Sequence, residues 1–418
     1  MKDDVLIVGG GIIGVSAAYF LAKAGASVTL IEKGEIASGS SYGNAGLLCP
    51  CHSVPLPAPG ALTQGIKWLF DSASPFYIKP RLDADLLAWL WRFQSFCNQD
   101  FVKTAVPLLR DMQRASLDLY QELVVTEKLD CNFTQQGGLV LYRTEVGFAD
   151  GRREAALMQQ FGLKLRLLNQ HEVRQRVTAV HLDVVGGIDH QEDAHITPDL
   201  FIKGLAEAAV ANGATILTNA ELLEFEQSGG RITAVKSSRG KFTPSQIILA
   251  AGAWSTQIAK ELALKLPIQP AKGYSITIQN QTKLPQPHLY LGESRVVVTP
   301  MGERLRFAGT LELAGFDFSI NRKRVDAILD AVGHYILTDF AGDEAQDSVE
   351  IWRGMRPCSP DSLPYIGRST QIKNLIVATG HATLGLSMGP VTGKLVTQIV
   401  EGKRPFLNLD GFQVERFS

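Results

Sequence analysis

The chain opens with two short apolar runs on either side of a longer apolar stretch. Residues 4 to 8 (DVLIV) and 27 to 31 (SVTLI) have the pattern of buried parallel strands. Residues 12 to 24 (IIGVSAAYFLAKA) predict a packed helix between them, and Gly25 is suited to end that helix. The opening pattern therefore predicts the strand, helix and second strand of an α/β unit.

The turn between the first strand and the helix fits G-x-G-x-x-G. Gly9 permits the tight turn, Gly11 lets a pyrophosphate approach the backbone, and Gly14 lets helix and strand pack closely. The helix N-terminus offers N–H groups to phosphates, and Glu32 is placed to accept hydrogen bonds from ribose hydroxyls. We predict a Rossmann-type dinucleotide site; the alternative is a glycine turn in an ordinary α/β unit.

The strand–glycine pattern returns twice later in the chain. A buried strand at 247 to 250 ends in Ala251-Gly252, and another ends at Gly380 before a helix that starts near Gly389. From about residue 266 onward the residues alternate as in antiparallel strands. Further helices are predicted at residues 83 to 97, 105 to 127, 145 to 161, 197 to 212 and 321 to 338.

These patterns predict an α/β protein with two interleaved domains. A Rossmann-type nucleotide-binding domain would comprise residues 1–82, 185–260 and 345–418. A substrate-binding domain, with an antiparallel sheet and helices, would comprise residues 83–184 and 261–344.

Composition narrows the class of protein. The chain has 418 residues and a net charge of −1, which argues against a nucleic-acid binder dominated by phosphate contacts. The five cysteines include no CxxC pair, as expected in a reducing compartment. Cys49, Cys51 and His52 suggest a metal, but no further ligand motif completes a tetrahedral site, so we predict none.

The location predicted from the sequence is cytoplasmic. The nucleotide-binding strand begins near residue 4, which leaves no room for a signal peptide, and no apolar run reaches about 18 residues. The segments at 66 to 70 (IKWLF) and 86 to 96 (LLAWLWRFQSF) contain Lys67 and Arg92 among aromatic residues. They predict either core-facing helices or peripheral contact with the inner face of the cell membrane.

Two further segments favour FAD over NAD. A flavin must be held along its whole length, and its ring needs support beyond the first glycine turn. The loop at 37 to 46 (ASGSSYGNAG) and the segment at 380 to 390 (GHATLGLSMGP) are suited to that support.

Several segments together resemble the bacterial D-amino-acid dehydrogenases, within the D-amino-acid oxidase, glycine oxidase and sarcosine oxidase group of FAD enzymes. The resemblance covers nearly the whole chain and implies a glutathione-reductase-like FAD domain of the D-amino-acid oxidase type. The segments that carry it are VLIVGGGIIGVSAAYFLAKAGASVTLIEK, SSYGNAGLLCP, PAPGALTQGIKWLF, PAKGYSITI, WRGMRPCSPDSLPYIG and NLIVATGHATLGLSMGPVTGKLVTQIVEGKRP.

The resemblance also implies which residues hold the cofactor. They run from the ADP half, along the pyrophosphate, to the flavin ring. The implied residues are Gly9, Gly11, Gly14, Glu32, Lys33, Ser40, Ser41, Asn44, Ala45, Gly46, Leu222, Ala251, Gly252, Trp254, Gly380, Thr383, Leu384 and Gly385.

Arg356 matches the arginine that pairs with the substrate carboxylate in the family, with Arg353 in reserve; the alternative for Arg356 is a salt bridge with Asp361. Tyr274 either donates to the carboxylate or packs in a strand.

The remaining candidates for the substrate side are histidines and one threonine. His381 and Thr383 face the substrate by resemblance, although His381 is also suited to hydrogen-bond only its own loop. His52 lies near the flavin ring by resemblance alone. Arg295 and Arg306, in alternating strands, are expected on solvated faces.

The chain departs from the family pattern at three places. C-P-C-H at 49 to 52 stands where many dehydrogenases have S-P-G-Y, and His195 follows D-A rather than D-G. The sarcosine-oxidase branch links its flavin to a cysteine, whereas in this chain Gly354 stands at the matching position, so we expect non-covalent FAD.

The implied reaction is oxidation of D-amino acids, or of proline-type imino acids, by hydride transfer from Cα to flavin N5. The imine product hydrolyses to a keto acid, and a quinone or electron-acceptor protein receives the electrons. One alternative is an amine oxidase that uses oxygen and releases peroxide. Another is a non-catalytic FAD-carrying subunit of a larger complex.

Overall fold

The apolar runs of the sequence form two large sheets with helices packed against them. The protein's computed structural model describes residues 4–61, 74–279, 281, 285–337 and 349–417. The aromatic segment at 66 to 70 therefore lies outside the described residues.

The strands of the described residues range from two to ten residues in length. In chain order they are β1 (Asp4–Val8), β2 (Ser27–Ile31), β3 (Leu47–Leu48), β4 (Phe76–Ile78), β5 (Gly138–Tyr142), β6 (Leu165–Asn169), β7 (Gly186–His190), β8 (Ala194–His195), β9 (Thr215–Leu217), β10 (Leu222–Ser228), β11 (Arg231–Ser237), β12 (Gly240–Phe242), β13 (Gln246–Leu249), β14 (Gln269–Ile278), β15 (His288–Leu291), β16 (Val296–Met301), β17 (Arg304–Leu313), β18 (Val349–Cys358), β19 (Tyr365–Arg368) and β20 (Leu375–Thr379).

The helices of the described part of the chain include one 3₁₀ turn. They are α1 (Ile12–Lys23), α2 (Ala84–Phe96), α3 (Gln99–Thr126), α4 (Glu145–Gln160), α5 (Gln170–Arg176), α6 (Pro198–Ala211), the 3₁₀ turn (Gly252–Trp254), α7 (Ser255–Glu261), α8 (Arg322–Tyr335) and α9 (Gly389–Val400).

The first sheet has the strand order β19-β20-β13-β1-β2-β9. Its strands run parallel from β20 to β9, and β19 is antiparallel at one edge. Strand β1 lies in the middle, and Val5 and Ile7 in it are buried. Helix α1 packs against α6 and α9, so the predicted Rossmann-type arrangement is confirmed.

The second sheet has the order β18-β14-β17-β16-β15-β5-β7-β6, with β4 beside β17. Its pairs are antiparallel except β15–β5 and β17–β4, which are parallel. Ile276, Val298 and Phe307 are fully buried in it, and Val325 and Val332 of α8 join the same core. The alternation after residue 266 therefore forms antiparallel strands as predicted, and the parallel β15–β5 pair adds strands from earlier in the chain.

Helix α3 begins earlier than the sequence pattern predicts. The helix expected from residue 105 starts at Gln99, because the Asn98 side chain accepts a hydrogen bond from Phe101 N at 2.9 Å. Pro107 lies inside the helix, where it removes one backbone donor without ending the helix.

Helix α2 carries apolar residues on two sides. Leu86 and Trp89 are buried, as expected for a core-facing helix, whereas Leu87 and Trp91 are 62% and 77% exposed. None of the described helices has the length and hydropathy needed to cross a membrane.

The sheets cut across the domain ranges predicted from the sequence. Strands β7 and β18 belong to the mixed sheet, although both fall in the ranges assigned to the nucleotide-binding domain. Membership of a sheet does not by itself define a domain, so the division into two interleaved domains stays a prediction.

A buried ionic cluster joins strands β14 and β17 of the mixed sheet to helix α8. Glu312 Oε1 is 2.7 Å from Arg324 Nε, and its Oε2 is 3.2 Å from Lys272 Nζ. The Tyr274 hydroxyl lies 3.3 Å from both carboxylate oxygens of Glu312. All four residues are at most 3% exposed, so the carboxylate stabilises two cations that have little access to water.

Glu312→Gln should lower the free energy of unfolding by about 3–5 kcal/mol, because removing one partner leaves buried charge uncompensated. Chemical denaturation would measure the change. The control is Asp100→Asn, which breaks the exposed Lys103–Asp100 pair (3.4 Å) and should have little effect. Equal effects of the two variants would contradict the prediction.

Candidate active site

The glycine turn after β1 has no room for side chains. Gly9 has φ +115°, and a Cβ there would lie 2.5 Å from the carbonyl oxygen of Ala250. A Cβ at Gly14 would lie 1.9 Å from the carbonyl oxygen of Gly9. Gly11 is the N-cap of α1, and the next amide, Ile12 N, donates to Ser41 Oγ at 3.1 Å. The open backbone at this helix N-terminus fits the pyrophosphate of a dinucleotide.

Glu32 lies at the end of β2, beside this turn. Its Oε2 accepts a hydrogen bond from Gly10 N at 2.7 Å, and its Oε1 accepts one from Gly34 N at 2.9 Å. A carboxylate has about four lone-pair sites, so acceptor capacity remains for ribose hydroxyls. The neighbouring Lys33 Nζ lies 3.9 Å from the ring centroid of Trp254.

A buried arginine holds the loop at 37 to 46. Arg306 Nη1 donates to Tyr42 O at 2.8 Å and to Asn44 O at 2.9 Å. Ser40 Oγ donates to Met355 O at 2.6 Å. Arg306 is fully buried, so its expected place on a solvated face is wrong: alternation along β17 turns its side chain toward this loop.

Asn44, Ala45 and Gly46 continue this loop toward the mixed sheet. Asn44 Oδ1 accepts a hydrogen bond from Gly46 N at 2.9 Å. The carbonyl of Ala45 accepts one from Thr299 Oγ1 at 2.7 Å. These bonds set the path of the backbone along one side of a large cavity.

The other predicted cofactor segments meet at the same edge of the parallel sheet. Strands β1, β13 and β20 are neighbours, and the turns that hold Gly9, Gly252 and Gly380 follow their carboxyl ends. Gly252 has φ +55° and Gly380 has φ +79°. Ala251 and Trp254 flank the second turn, Leu384 and Gly385 follow the third, and Leu222 begins β10 in a separate three-stranded meander.

A cavity of about 1260 Å³ extends from this edge into the mixed sheet. Asn44, Ala45, Thr383 and Leu384 line it on one side, and Arg356 lies on its wall. The cavity thus touches both the predicted flavin loops and the predicted carboxylate anchor.

Arg356, the predicted carboxylate anchor, lies on the wall of this cavity. Its Nη1 donates to Thr310 O at 2.9 Å, and burial lowers the pKa of its guanidinium, which as an arginine stays charged. A Cβ at Gly273 would lie 2.0 Å from Arg356 Nη1, so glycine leaves the space that the guanidinium occupies. The alternative salt bridge is wrong, because Asp361 pairs with Arg416 at 2.8 Å.

Tyr274 is turned away from Arg356. It neighbours Gly273 in β14, so alternation puts its side chain on the opposite face. Its hydroxyl accepts a hydrogen bond from Asn321 N at 3.3 Å in addition to its contacts with Glu312. This placement favours the packing alternative for Tyr274.

The two predicted histidines differ in access to the cavity. His381 is 2% exposed, its Nε2 is 3.0 Å from Thr392 Oγ1, and burial lowers its pKa to about 3. His52 lines the cavity, with its ring centroid 5.2 Å from that of Tyr290, and burial lowers its pKa to about 4. Both imidazoles are therefore neutral near pH 7, and only His52 borders the cavity.

Several cavity residues were missed in the sequence. Trp352 lines the cavity, and Cβ atoms at Gly43 and Gly354 would each lie 2.0 Å from its ring. The sequence feature that could have identified Trp352 is the alternation along W-R-G-M-R-P. It puts Trp352, Gly354 and Arg356 on one face of the strand. Arg295, expected on a solvated face, also borders this cavity.

The C-P-C-H segment lies beside side chains that could bind a metal ion. These side chains come from distant parts of the sequence. Asp193 and His288 lie beside Cys49, and Asp193 and His190 lie beside Cys51. Elements distant in sequence therefore supply ligand-type side chains that the sequence analysis did not find, and the absence of a metal stays a prediction.

A family model described as DAO, FAD dependent oxidoreductase, matches residues 4–399. The chain belongs to this family. This FAD-dependent oxidoreductase is 32% identical over 421 residues to a D-amino acid dehydrogenase of Paramagnetospirillum magneticum, covering 99% of both chains. It is 32% identical to a D-amino acid dehydrogenase of Vibrio atlanticus, covering 99% of this chain and 100% of that one. The resemblance that the motifs indicate is confirmed.

Solved structures show the same fold. Glycine oxidase from Geobacillus kaustophilus superposes with a TM-score of 0.79 at 23% identity, covering 100% of this oxidoreductase and 99% of that chain. L-proline dehydrogenase from P. horikoshii superposes with a TM-score of 0.72 at 20% identity, covering 100% and 98%.

Glu32→Ala should weaken FAD binding, because ribose hydroxyls lose an ionised acceptor that contributes about 1.5–3 kcal/mol. Titration of the apoprotein with FAD, followed by flavin fluorescence, would measure the dissociation constant. The control is Glu35→Ala in the same loop, where the carboxylate is exposed and contacts Asn219 Nδ2 at 2.8 Å. Unchanged affinity in the Glu32 variant would place the ribose elsewhere.

Proposed function

We propose that this oxidoreductase oxidises D-amino acids, with proline-type imino acids among the candidates, and passes the electrons to a quinone or another non-oxygen acceptor. The names of its curated relatives support the substrate class. The observation that carries the proposal is the partly buried guanidinium of Arg356 on the wall of the cavity that the predicted flavin loops also line.

The residues proposed to hold FAD are those of the three glycine turns and the loop at 37 to 46. Gly9, Gly11 and Gly14 leave the helix N-terminus open for the pyrophosphate, and Glu32 accepts from the ribose. The segment from Gly380 to Gly385 then supports the ring. When bound, FAD supplies the acceptor for the hydride that leaves the substrate Cα.

Arg356 is proposed to grip the substrate carboxylate. A guanidinium binds a carboxylate through two parallel hydrogen bonds, which sets the direction of the Cα–H bond. Among the described residues, Arg356 makes one hydrogen bond, to Thr310 O, so donors remain for a substrate. Thr383 lies exposed on the same cavity wall and is proposed to contact the bound substrate.

Proton transfer is proposed to need no strong base from the chain. The His381 ring is hydrogen-bonded to Thr392, and the Tyr274 hydroxyl is hydrogen-bonded to Glu312, so both groups already have partners within the protein. A substrate that enters with a neutral amine can lose its hydride while the nitrogen lone pair forms a protonated imine, whose extra proton then passes to solvent. His52, neutral and on the cavity wall, is proposed to contact the substrate rather than to accept its proton.

The apolar part of the cavity lining suits apolar substrate side chains. It includes Phe76, Ile78, Trp89, Leu90 and Phe93. Apolar D-amino acids are therefore proposed to bind better than acidic ones. Anaerobic mixing with a panel of D- and L-amino acids, including prolines, would test this through bleaching of the flavin absorbance.

The second candidate function is an amine oxidase that uses oxygen. The similarity of fold to glycine oxidase favours it. The exposed Leu87 and Trp91 of α2 instead favour the dehydrogenase, because they offer a surface for peripheral contact with a membrane that holds quinones. Peripheral contact with the inner face of the cell membrane is part of the proposal. The proposal also allows the protein to associate with further subunits.

Arg356→Ala should lower kcat/KM on D-amino acids roughly 30- to several-thousand-fold, because losing one partner of a desolvated charge pair costs about 2–5 kcal/mol. Arg356→Lys should lose less, and the FAD content of both should stay normal. Steady-state kinetics with an artificial dye acceptor would measure the losses.

The matched control is Arg353→Ala. Alternation along β18 puts Arg353 on the opposite face, where its guanidinium lies 5.1 Å from the ring centroid of Phe318. This variant should keep near wild-type kcat/KM. If Arg356→Ala instead keeps wild-type kinetics, Arg356 has a structural role and another residue binds the substrate carboxylate.

Substrate-reduced enzyme should be reoxidised slowly in air-saturated buffer and quickly by a quinone analogue. The expectation follows from two relatives named D-amino acid dehydrogenase, to which this chain is similar over 99% of its length. Stopped-flow absorbance would compare the two rates, with a peroxide assay alongside. Fast reoxidation by air with stoichiometric peroxide would favour the oxidase.

A further inference from the structure

A second group of reactive side chains lies beside the cavity, outside the proposed catalytic residues. Cys49, Asp193 and His288 are 3%, 0% and 2% exposed. One ligand atom from each lies within 4.8 Å of those of the other two. Cys51 and His190 form a second such triad with the same Asp193.

Separate elements hold these side chains in place. Cys49 N donates to Ser387 Oγ at 3.2 Å, and Cys51 N donates to Asp193 Oδ1 at 3.1 Å. A Cβ at Gly138 would lie 2.2 Å from His288 Nε2, so glycine in β5 leaves room for the imidazole. The cluster is therefore fixed by contacts between strands that are distant in sequence.

The ring of His288 is oriented as in a metal ligand. Its Nε2 lies 4.0 Å from Cys49 Sγ, and its Nδ1 lies 3.4 Å from His195 Nδ1. One ring nitrogen thus faces the thiol while the other has a polar partner, the arrangement that orients ligating histidines. Sulfur and nitrogen ligands of one Zn²⁺ lie roughly 3.5 Å apart, given bonds of about 2.3 and 2.0 Å, so a small shift closes the site.

The charges of the cluster suit a divalent cation. Asp193 belongs to both triads, so its carboxylate can supply an oxygen ligand to a cation held by either cysteine. The Nε2 atom of His288 faces Cys49 Sγ and can supply a nitrogen ligand. Lys and Arg side chains of the described residues form no ion pair with Asp193; its paired cation is His190 when protonated.

We propose that Cys49, Asp193 and His288 bind a thiophilic divalent cation of the Zn²⁺ class, with the remaining coordination position facing the cavity that Cys49 lines. Binding deprotonates the Cys49 thiol and releases one proton to solvent. The ion ties the loop that carries His52 to the turn after β7 and to β15. It therefore stabilises one wall of the cavity without taking part in the hydride step.

The test uses the full-length, FAD-loaded protein. The protein is treated with a chelator and a thiol reductant, incubated with Zn²⁺ and desalted, and the ratio of zinc to FAD is measured by mass spectrometry. We expect a single zinc ion per chain and a rise in Tm. Co²⁺ in place of Zn²⁺ should give thiolate-type d–d absorption at wavelengths longer than those of oxidised flavin.

The variants assign the ligands. Cys49→Ser and His288→Gln should each weaken Zn²⁺ binding at least about tenfold and abolish the Tm shift, because each loses a ligand. Asp193→Asn should do the same; if it fails to fold, the other two decide. Cys97→Ser is the control, since that thiol lies at the end of α2, where it donates to Phe93 O at 3.4 Å, outside both triads.

Several outcomes would overturn the proposal. Zinc below one-tenth of the FAD content in the wild type would make the cluster a hydrogen-bonded packing element. Full uptake by both Cys49→Ser and His288→Gln would place the ion elsewhere. If Cys49→Ser retains zinc and Cys51→Ser loses it, the ion is bound by the second triad instead.

Discussion

The close contact between the glycine turn and helix α1 is the constraint on which the site depends. The carbonyl of Gly9 occupies the space where a Cβ at residue 14 would lie, 1.9 Å away. The helix approaches β1 this closely only because residue 14 has no side chain. The helix N-terminus therefore opens at the edge of the sheet where β13 and β20 also end, and the turns at Gly252 and Gly380 are brought to the same place.

Two arginines, Arg306 buried and Arg356 partly buried, connect that edge to the mixed sheet, and their surroundings distinguish their roles. Arg306 donates to Thr277 Oγ1 at 2.9 Å as well as to two carbonyls of the loop at 37 to 46, so protein acceptors use most of its donors. Among the described residues, Arg356 donates to Thr310 O, and it borders the cavity. An arginine whose donors are bonded to protein acceptors stabilises the fold. An arginine with unused donors on a cavity wall is available to an anion.

The histidines show that residue type alone does not reveal chemistry. His381 stands in the most distinctive motif near the chain end, yet it is buried against Thr392. His288 belongs to no motif, yet it lies 4.0 Å from a cysteine that borders the cavity. The difference arises from strand pairing: β15 carries His288 against Gly138 of β5, and this pairing joins residues about 150 positions apart.

The sequence by itself determined the local features of this protein: the glycine turn, Glu32 at the end of β2 and the helix periods. Each depends on residues close together in the chain, where sterics and periodicity act directly. Only the tertiary structure decided that Tyr274 faces Glu312, that Arg306 is buried, and that Asp193 and His288 meet the C-P-C-H segment. Those outcomes depend on which strands pair and in which register, because a shift of one residue reverses the face of every side chain.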